Sequence, residues 1–169
     1  MRKLFVFIPL AIFLVLGVLF YAQLGKDVRY MPSALIGKAL PDFKMVPLES
    51  NELVGHESLP EGPYLINFWA TWCPSCSVEH DYLMALAGQG IPIVGIDYKD
   101  EADAAKKWLI EKGDPYSVVL QDEMGHFGVD MGVTGAPETF VVDSQGNVAY
   151  RHQGVVNDAV WETLKGYMK

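Results

Sequence analysis

The chain has 169 residues, half of them hydrophobic, and carries 21 acidic against 13 basic side chains for a formal net charge of −8. That balance argues against nucleic-acid binding, which calls for a basic face, and is compatible with solubility or with a basic partner peptide. The two cysteines form one close pair and the histidines, His56, His80, His126 and His152, are scattered, which argues against a four-ligand structural zinc site.

Met1-Arg2-Lys3 precedes an unbroken apolar stretch, Leu4 to Ala22, of about the length that crosses a bilayer as a helix. The stretch is longer than the core of a cleaved signal peptide, and Tyr21-Ala22-Gln23-Leu24-Gly25 offers no clear small-x-small cleavage site. Residues 1–25 are therefore expected to be an uncleaved N-terminal transmembrane helix, with Arg2 and Lys3 held in the cytoplasm and the rest sent across. Residues 26–34 read as a polar linker, and 35–169 as one folded domain of common size.

Within that domain Phe43–Val46 reads as an opening strand and Pro47 to Pro63 as a connection. Tyr64–Ala70 is a buried strand, and Cys73–Leu86 a helix with Val78, Tyr82 and Leu86 recurring on one face. Ile91–Asp97 has the continuous apolar character of a central parallel strand. Glu101–Lys112 follows as a helix with Ala105, Trp108 and Leu109 on one face, stopped by Gly113. Ser117–Leu120 is a short strand, and Thr139–Val142 and Val148–Arg151 form a hairpin around Ser144-Gln145-Gly146-Asn147. Asn157 caps a last helix that runs through Met168. This order predicts an α/β domain whose central sheet has mixed strand directions and is flanked by helices. Trp69, Trp108, Trp161 and Tyr167 read as packing residues, His80 and His126 as surface or capping residues, and Asp97-Tyr98-Lys99-Asp100 as a turn at a strand's end.

The chemistry lies in Trp72-Cys73-Pro74-Ser75-Cys76, a Cys-x-x-Cys pair between a strand-like and a helix-like run. A cysteine at the start of a helix meets unpaired N–H groups and the positive end of the dipole, which favour its thiolate. A structural disulfide closing so short a loop would stabilise the fold little. Redox exchange is thus the expected use: Cys73, exposed, attacks a client disulfide, and Cys76 resolves the mixed disulfide. Pro74 and Ser75, between the thiols, tune how strongly each thiolate is stabilised. Glu79, one helical turn beyond Cys76, can approach the pair and accept a proton if desolvation raises its pKa. The adjacent Trp72 is expected to be exposed and client-facing.

Phe68-Trp69-Ala70-Thr71-Trp72-Cys73-Pro74-Ser75-Cys76 resembles the active-site segment of thioredoxin-like proteins, and Gly135-Ala136-Pro137-Glu138-Thr139 resembles their cis-proline loop. Gly37-Lys38-Ala39-Leu40-Pro41-Asp42-Phe43, Glu79-His80, Asp97-Tyr98-Lys99-Asp100 and Gly132 to Phe140 narrow the likeness to the membrane-tethered CcmG/DsbE-type thiol:disulfide interchange proteins of cytochrome c maturation. The resemblance implies a thioredoxin-like fold and a periplasmic reductant, anchored in the inner membrane. Its dithiol would keep the haem-attachment cysteines of apocytochrome c, or a partner thiol protein, reduced. Electrons would come from a membrane thiol reductase of the CcdA/DsbD type. It further implies a cis Ala136–Pro137 bond that aligns a client strand beside Cys73. Asn67 fills the position where the thioredoxin pattern usually carries an aspartate, which leaves Glu79 and Glu138 as candidate replacements. No cofactor beyond the Cys73–Cys76 disulfide, no metal and no nucleic acid are implied. A thiol oxidase or isomerase is the alternative of the same chemistry, and an extracytoplasmic copper carrier one of a different class.

Overall fold

The computed structural model describes residues 4–23 and 34–169, the side chains of residues 4–6 and 23 excepted. Arg2, Lys3 and all but the last residue of the expected linker lie outside these residues. The chain divides into two units, residues 1–31 and 32–169.

In the first unit Leu4–Gln23 forms helix α1, with Pro9 inside it. Its apolar residues fall on every face, so it lacks the polar stripe of a helix that floats on a domain surface. Among the described residues, no helix is long and apolar enough to cross a membrane. The helix expected at the N-terminus is therefore present over Leu4–Gln23.

The second unit is built on six strands: β1 Val46–Pro47, β2 Tyr64–Trp69, β3 Ile93–Tyr98, β4 Val118–Asp122, β5 Glu138–Val142 and β6 Val148–Gln153, in the spatial order β1-β4-β3-β2-β5-β6. β2, β3 and β4 run parallel, and β1, β5 and β6 join antiparallel, giving the expected mixed sheet. Helices α2 (Pro74–Gly88), α3 (Ala102–Lys112), α4 (His126–Met131) and α5 (Asp158–Leu164) connect or close it. Every residue of β2 and β3 is buried, because helices cover both faces of the centre.

Strand alternation separates the two faces. Ile66, Phe68, Val94, Ile96, Phe140 and Val142 pack with Leu40, Phe43, Phe127 and Met131 of the α4 side. Phe68 stands 5.9 Å from Phe127 and 5.7 Å from Phe140, ring centre to ring centre. Such aromatic pairs add about 0.5–1.5 kcal/mol each beyond their buried area. On the opposite face Leu65, Ile93 and Val141 pack with Leu83 and Leu86 of α2 and Leu164 of α5. Trp69 and Val119 pack there with Ala105 and Leu109 of α3 and with both cysteines.

Several sequence expectations need correction. The opening strand is displaced to Val46–Pro47, since Met45 instead bridges Val54 across the following loop. The helix α4 is an element the sequence reading lacks; Asp122 holds its first turn by accepting hydrogen bonds from the N–H groups of Phe127 and Gly128. In α2 Val78 is exposed, and the inward face carries Cys76, Glu79, His80, Leu83 and Leu86. An apolar stripe misreads this helix because two polar side chains occupy its buried face. His80 is thus interior and not a surface residue: its Nε2 lies 3.1 Å from the Gly113 carbonyl and its ring meets the Trp108 ring at 4.3 Å. Tyr167 is exposed and stacks on Tyr150 at 4.6 Å instead of entering the core. The hairpin and the Asn157 cap of α5, which accepts from the Val160 N–H at 3.1 Å, stand as read. That last helix ends at Leu164 and tightens into a 3₁₀ turn, Lys165–Tyr167.

Candidate active site

β2 delivers the cysteine pair to the C-terminal end of the parallel strands, where the chain turns into α2. Pro74 occupies the first helical turn, where its missing N–H costs nothing. Cys73 is the N-cap, and its Sγ accepts a hydrogen bond from the Cys76 N–H at 3.1 Å. The two are joined in a disulfide, S–S 2.11 Å. In this oxidised state Cys73 is only 3 % exposed. That corrects the expectation of an exposed sulfur: the cysteines are packed among Leu48, Trp69 and Ala70, with Ala136 against them.

The turn before the pair is fastened to the end of β3. The Asp100 carboxylate accepts from the backbone N–H of Thr71 and, at 3.0 Å, from its hydroxyl. The Trp72 indole N–H donates to the Lys99 carbonyl at 2.9 Å while its ring remains exposed beside Cys73. Lys99 adopts φ of 51°, a left-handed conformation uncommon for a residue other than glycine. The segment read as a plain turn is therefore a clamp on the dithiol loop.

Glu79 is 1 % exposed, and its carboxylate accepts from the Asn67 side-chain amide at 2.9 Å and the Val156 N–H at 2.8 Å. Burial outweighs both hydrogen bonds and pushes its pKa up to about 7. Asn67 also donates to the Thr139 hydroxyl at 3.1 Å and accepts from the Tyr116 hydroxyl at 3.0 Å, so the residue at the usual acid position organises a polar network instead of ionising. Tyr116 itself is held far from ionisation by burial, with the Glu79, Asp114 and Asp97 charges adding to the effect.

Glu138 lies elsewhere in function. Its Oε1 accepts from the Thr134 N–H, the Thr134 hydroxyl and the Gly135 N–H at 2.8, 2.6 and 3.2 Å. Its Oε2 is ion-paired with a buried Arg151, 2.7 Å from both Nε and the guanidinium nitrogen. These bonds fix the loop that carries the Ala136–Pro137 peptide, which is cis. Their number suits Glu138 to holding the loop.

Two groups escaped the sequence reading. Asp97 is 1 % exposed at the end of β3, and burial together with the Asp100 charge raises its pKa to about 7. Tyr116 forms a stack with Trp69, ring centres 5.5 Å apart. The signal for Asp97 was an acid in phase with Ile93 and Gly95 inside an apolar strand. Among the described residues no three His, Cys, Asp or Glu side chains converge as a metal site would need.

Comparison with known proteins agrees with this geometry. The Redoxin family profile matches residues 35–166. The chain is similar to the thiol:disulfide interchange protein DsbE of Haemophilus influenzae, 48% identical over 165 residues covering 94% of this chain and 91% of that protein. It is also similar to DsbE of Escherichia coli strain K12, 44% identical over 169 residues covering 96% and 91%. Among solved structures, a thiol:disulfide interchange protein DsbE from Chlorobium tepidum superposes with a TM-score of 0.63 at 21% identity, covering 78% of this chain and 96% of that one, which shows the shared fold. A thioredoxin-like sheet that presents a helix-capped cysteine pair, and that extended identity, place this chain in the DsbE family of thiol:disulfide interchange proteins, as a thiol:disulfide oxidoreductase.

Proposed function

We propose that this protein is a membrane-anchored periplasmic reductant of cytochrome c biogenesis, with apocytochrome c or a maturation thiol protein as client. Cys73 attacks a client disulfide as thiolate, forming a mixed disulfide and releasing one client thiolate. Cys76 then attacks the Cys73 sulfur, its proton passing to the Glu79 carboxylate, and the second client thiolate leaves. A membrane thiol reductase of CcdA/DsbD type restores the dithiol. Trp72 and the Ala136–Pro137 loop border the cysteines and would receive the client strand.

The observation that carries the direction of flow is the buried Glu79 carboxyl, one helical turn past Cys76 among the buried residues of α2. An acid there disfavours an added thiolate charge, which destabilises the reduced form and makes it the better electron donor. Arg2-Lys3 ahead of the apolar stretch from Leu4 to Ala22 supports a reading in which the chain is anchored with its catalytic domain outside the cytoplasm.

Equilibration with glutathione, followed by reaction with an oxidised Cys-x-x-Cys-His peptide, tests the reading. The expected potential lies toward thioredoxin's value of about −270 mV and away from the oxidising end near −120 mV. Cys76→Ser should accumulate a mixed disulfide with the peptide and Cys73→Ser should not. An oxidising potential would make the protein an oxidase or isomerase, and trapping by Cys73→Ser alone would exchange the two cysteines' roles.

A further inference from the structure

Three buried side-chain atoms lack a hydrogen-bond partner among the described residues: Trp69 Nε1, His80 Nδ1 and Asp97 Oδ1. They gather on one face of the sheet. Trp69 and Asp97 are register partners on the parallel strands β2 and β3, and Trp69 packs against Trp108, which the His80 ring meets edge-on. The same layer holds both cysteines. Neighbouring strands lie about 4.8 Å apart, so Asp97 stands beside the strand end that leads within four residues to Cys73. Asp100, three residues past Asp97, is bonded to Thr71 in that connection.

We propose that Asp97 is a second redox-linked proton-binding group of this dithiol, acting through charge as a positioning residue and distinct from Glu79. When a donor dithiol reduces the protein, two electrons break the S–S bond. Cys76 leaves as a thiol, taking one proton from the donor dithiol, and Cys73 carries the thiolate charge. A proton from solvent settles on Asp97 and offsets that charge. When the dithiol next reduces a client disulfide, the bond re-forms and Asp97 gives its proton up.

The charges around Asp97 favour this use. From α2 come Glu79 and His80, whose pKa burial lowers. The connection before β4 brings Asp114 and Tyr116, and the register partner on β4 is the neutral Gln121. Asp100 faces it from the loop, and α3 packs against the layer with Ala102, Ala105 and Leu109. The cation of this layer, Lys112 of α3, lies over the Trp108 ring, 5.6 Å from its centre, while Asp97 Oδ1 has no hydrogen-bond partner and the charge acting on Asp97 is that of Asp100, so a new thiolate nearby tips it to the neutral form. The inference rests on thiol:disulfide exchange alone and holds in either direction of electron flow.

Oxidised-minus-reduced infrared difference spectra near neutral pH read carboxyl protonation directly. Glu79→Gln should retain a redox-linked carboxyl band, and adding Asp97→Asn should remove it. In thiolate absorbance titrations Asp97→Asn should shift the Cys73 transition to lower pH and lessen the steepness with which the potential falls as pH rises. Loss of the whole band in Glu79→Gln alone would overturn the proposal, and this outcome is read in a protein that keeps Asp97. Superimposable thiolate titrations of wild type and a folded Asp97→Asn would overturn it equally.

Discussion

Of the two glutamates drawn to the dithiol by sequence, tertiary contacts assign different work to each. Glu138 is spent on Thr134, Gly135 and Arg151. Breaking a buried pair of this kind typically costs about 3–5 kcal/mol, so its role is to hold the loop. Glu79 keeps a carboxyl whose pKa is raised from 4.5 to about 7. A raised acid favours folding while it is protonated. Below about pH 4.5 its contribution is complete, and it is lost as pH rises through about 7, because the unfolded chain has already released the proton. The oxidised protein should therefore lose stability across this window, by about 3 kcal/mol for Glu79. Glu79→Gln should flatten the profile in urea denaturation at pH 5 and pH 8. Equal pH slopes in the two proteins would mean that water reaches the carboxyl.

At the scale of elements, β3 organises the floor of the site. Gly95 lies at its middle, and a Cβ there would come within 2.8 Å of the Tyr116 ring and 3.0 Å of Trp69 Nε1. Neither ring can swing away, since Tyr116 is stacked on Trp69 and bonded to Asn67. We expect Gly95→Ala to cost about 1–3 kcal/mol, the range for overpacking a filled core. It should also disturb near-ultraviolet circular dichroism through the Trp69–Tyr116 stack. An unchanged melting temperature and spectrum would show that the layer can expand. The clamp from Lys99 and Asp100 belongs to the same element, so the strand's end and the dithiol loop are set together.

At the scale of the molecule, the whole sheet and its helices lie within residues 32–169, and the apolar helix lies in the other unit. A chain beginning at Ala34 is predicted to be soluble and to retain dithiol exchange. The full chain should stay with membranes after an alkaline carbonate wash. Extraction of the full chain by that wash would overturn membrane insertion, whereas failure of the shortened chain to fold would show that α1 is needed for more than anchorage.

The sequence alone determined the α/β class, most element positions and the dithiol, because these depend on local signals: apolar runs bounded by glycine and proline, a Cys-x-x-Cys pair at a strand-to-helix junction, an Asn cap. Only the tertiary structure decided which polar residues are interior. Glu79 and His80 share a helix face that periodicity left unmarked, because the sheet residue opposite is Asn67 and can bond a carboxylate. Asp97 becomes a buried acid only once the domain is folded, and Glu138 becomes a loop fastener only when β6 brings Arg151 to it. Burial and charge pairing are properties of residues far apart in the chain, and they decide protonation.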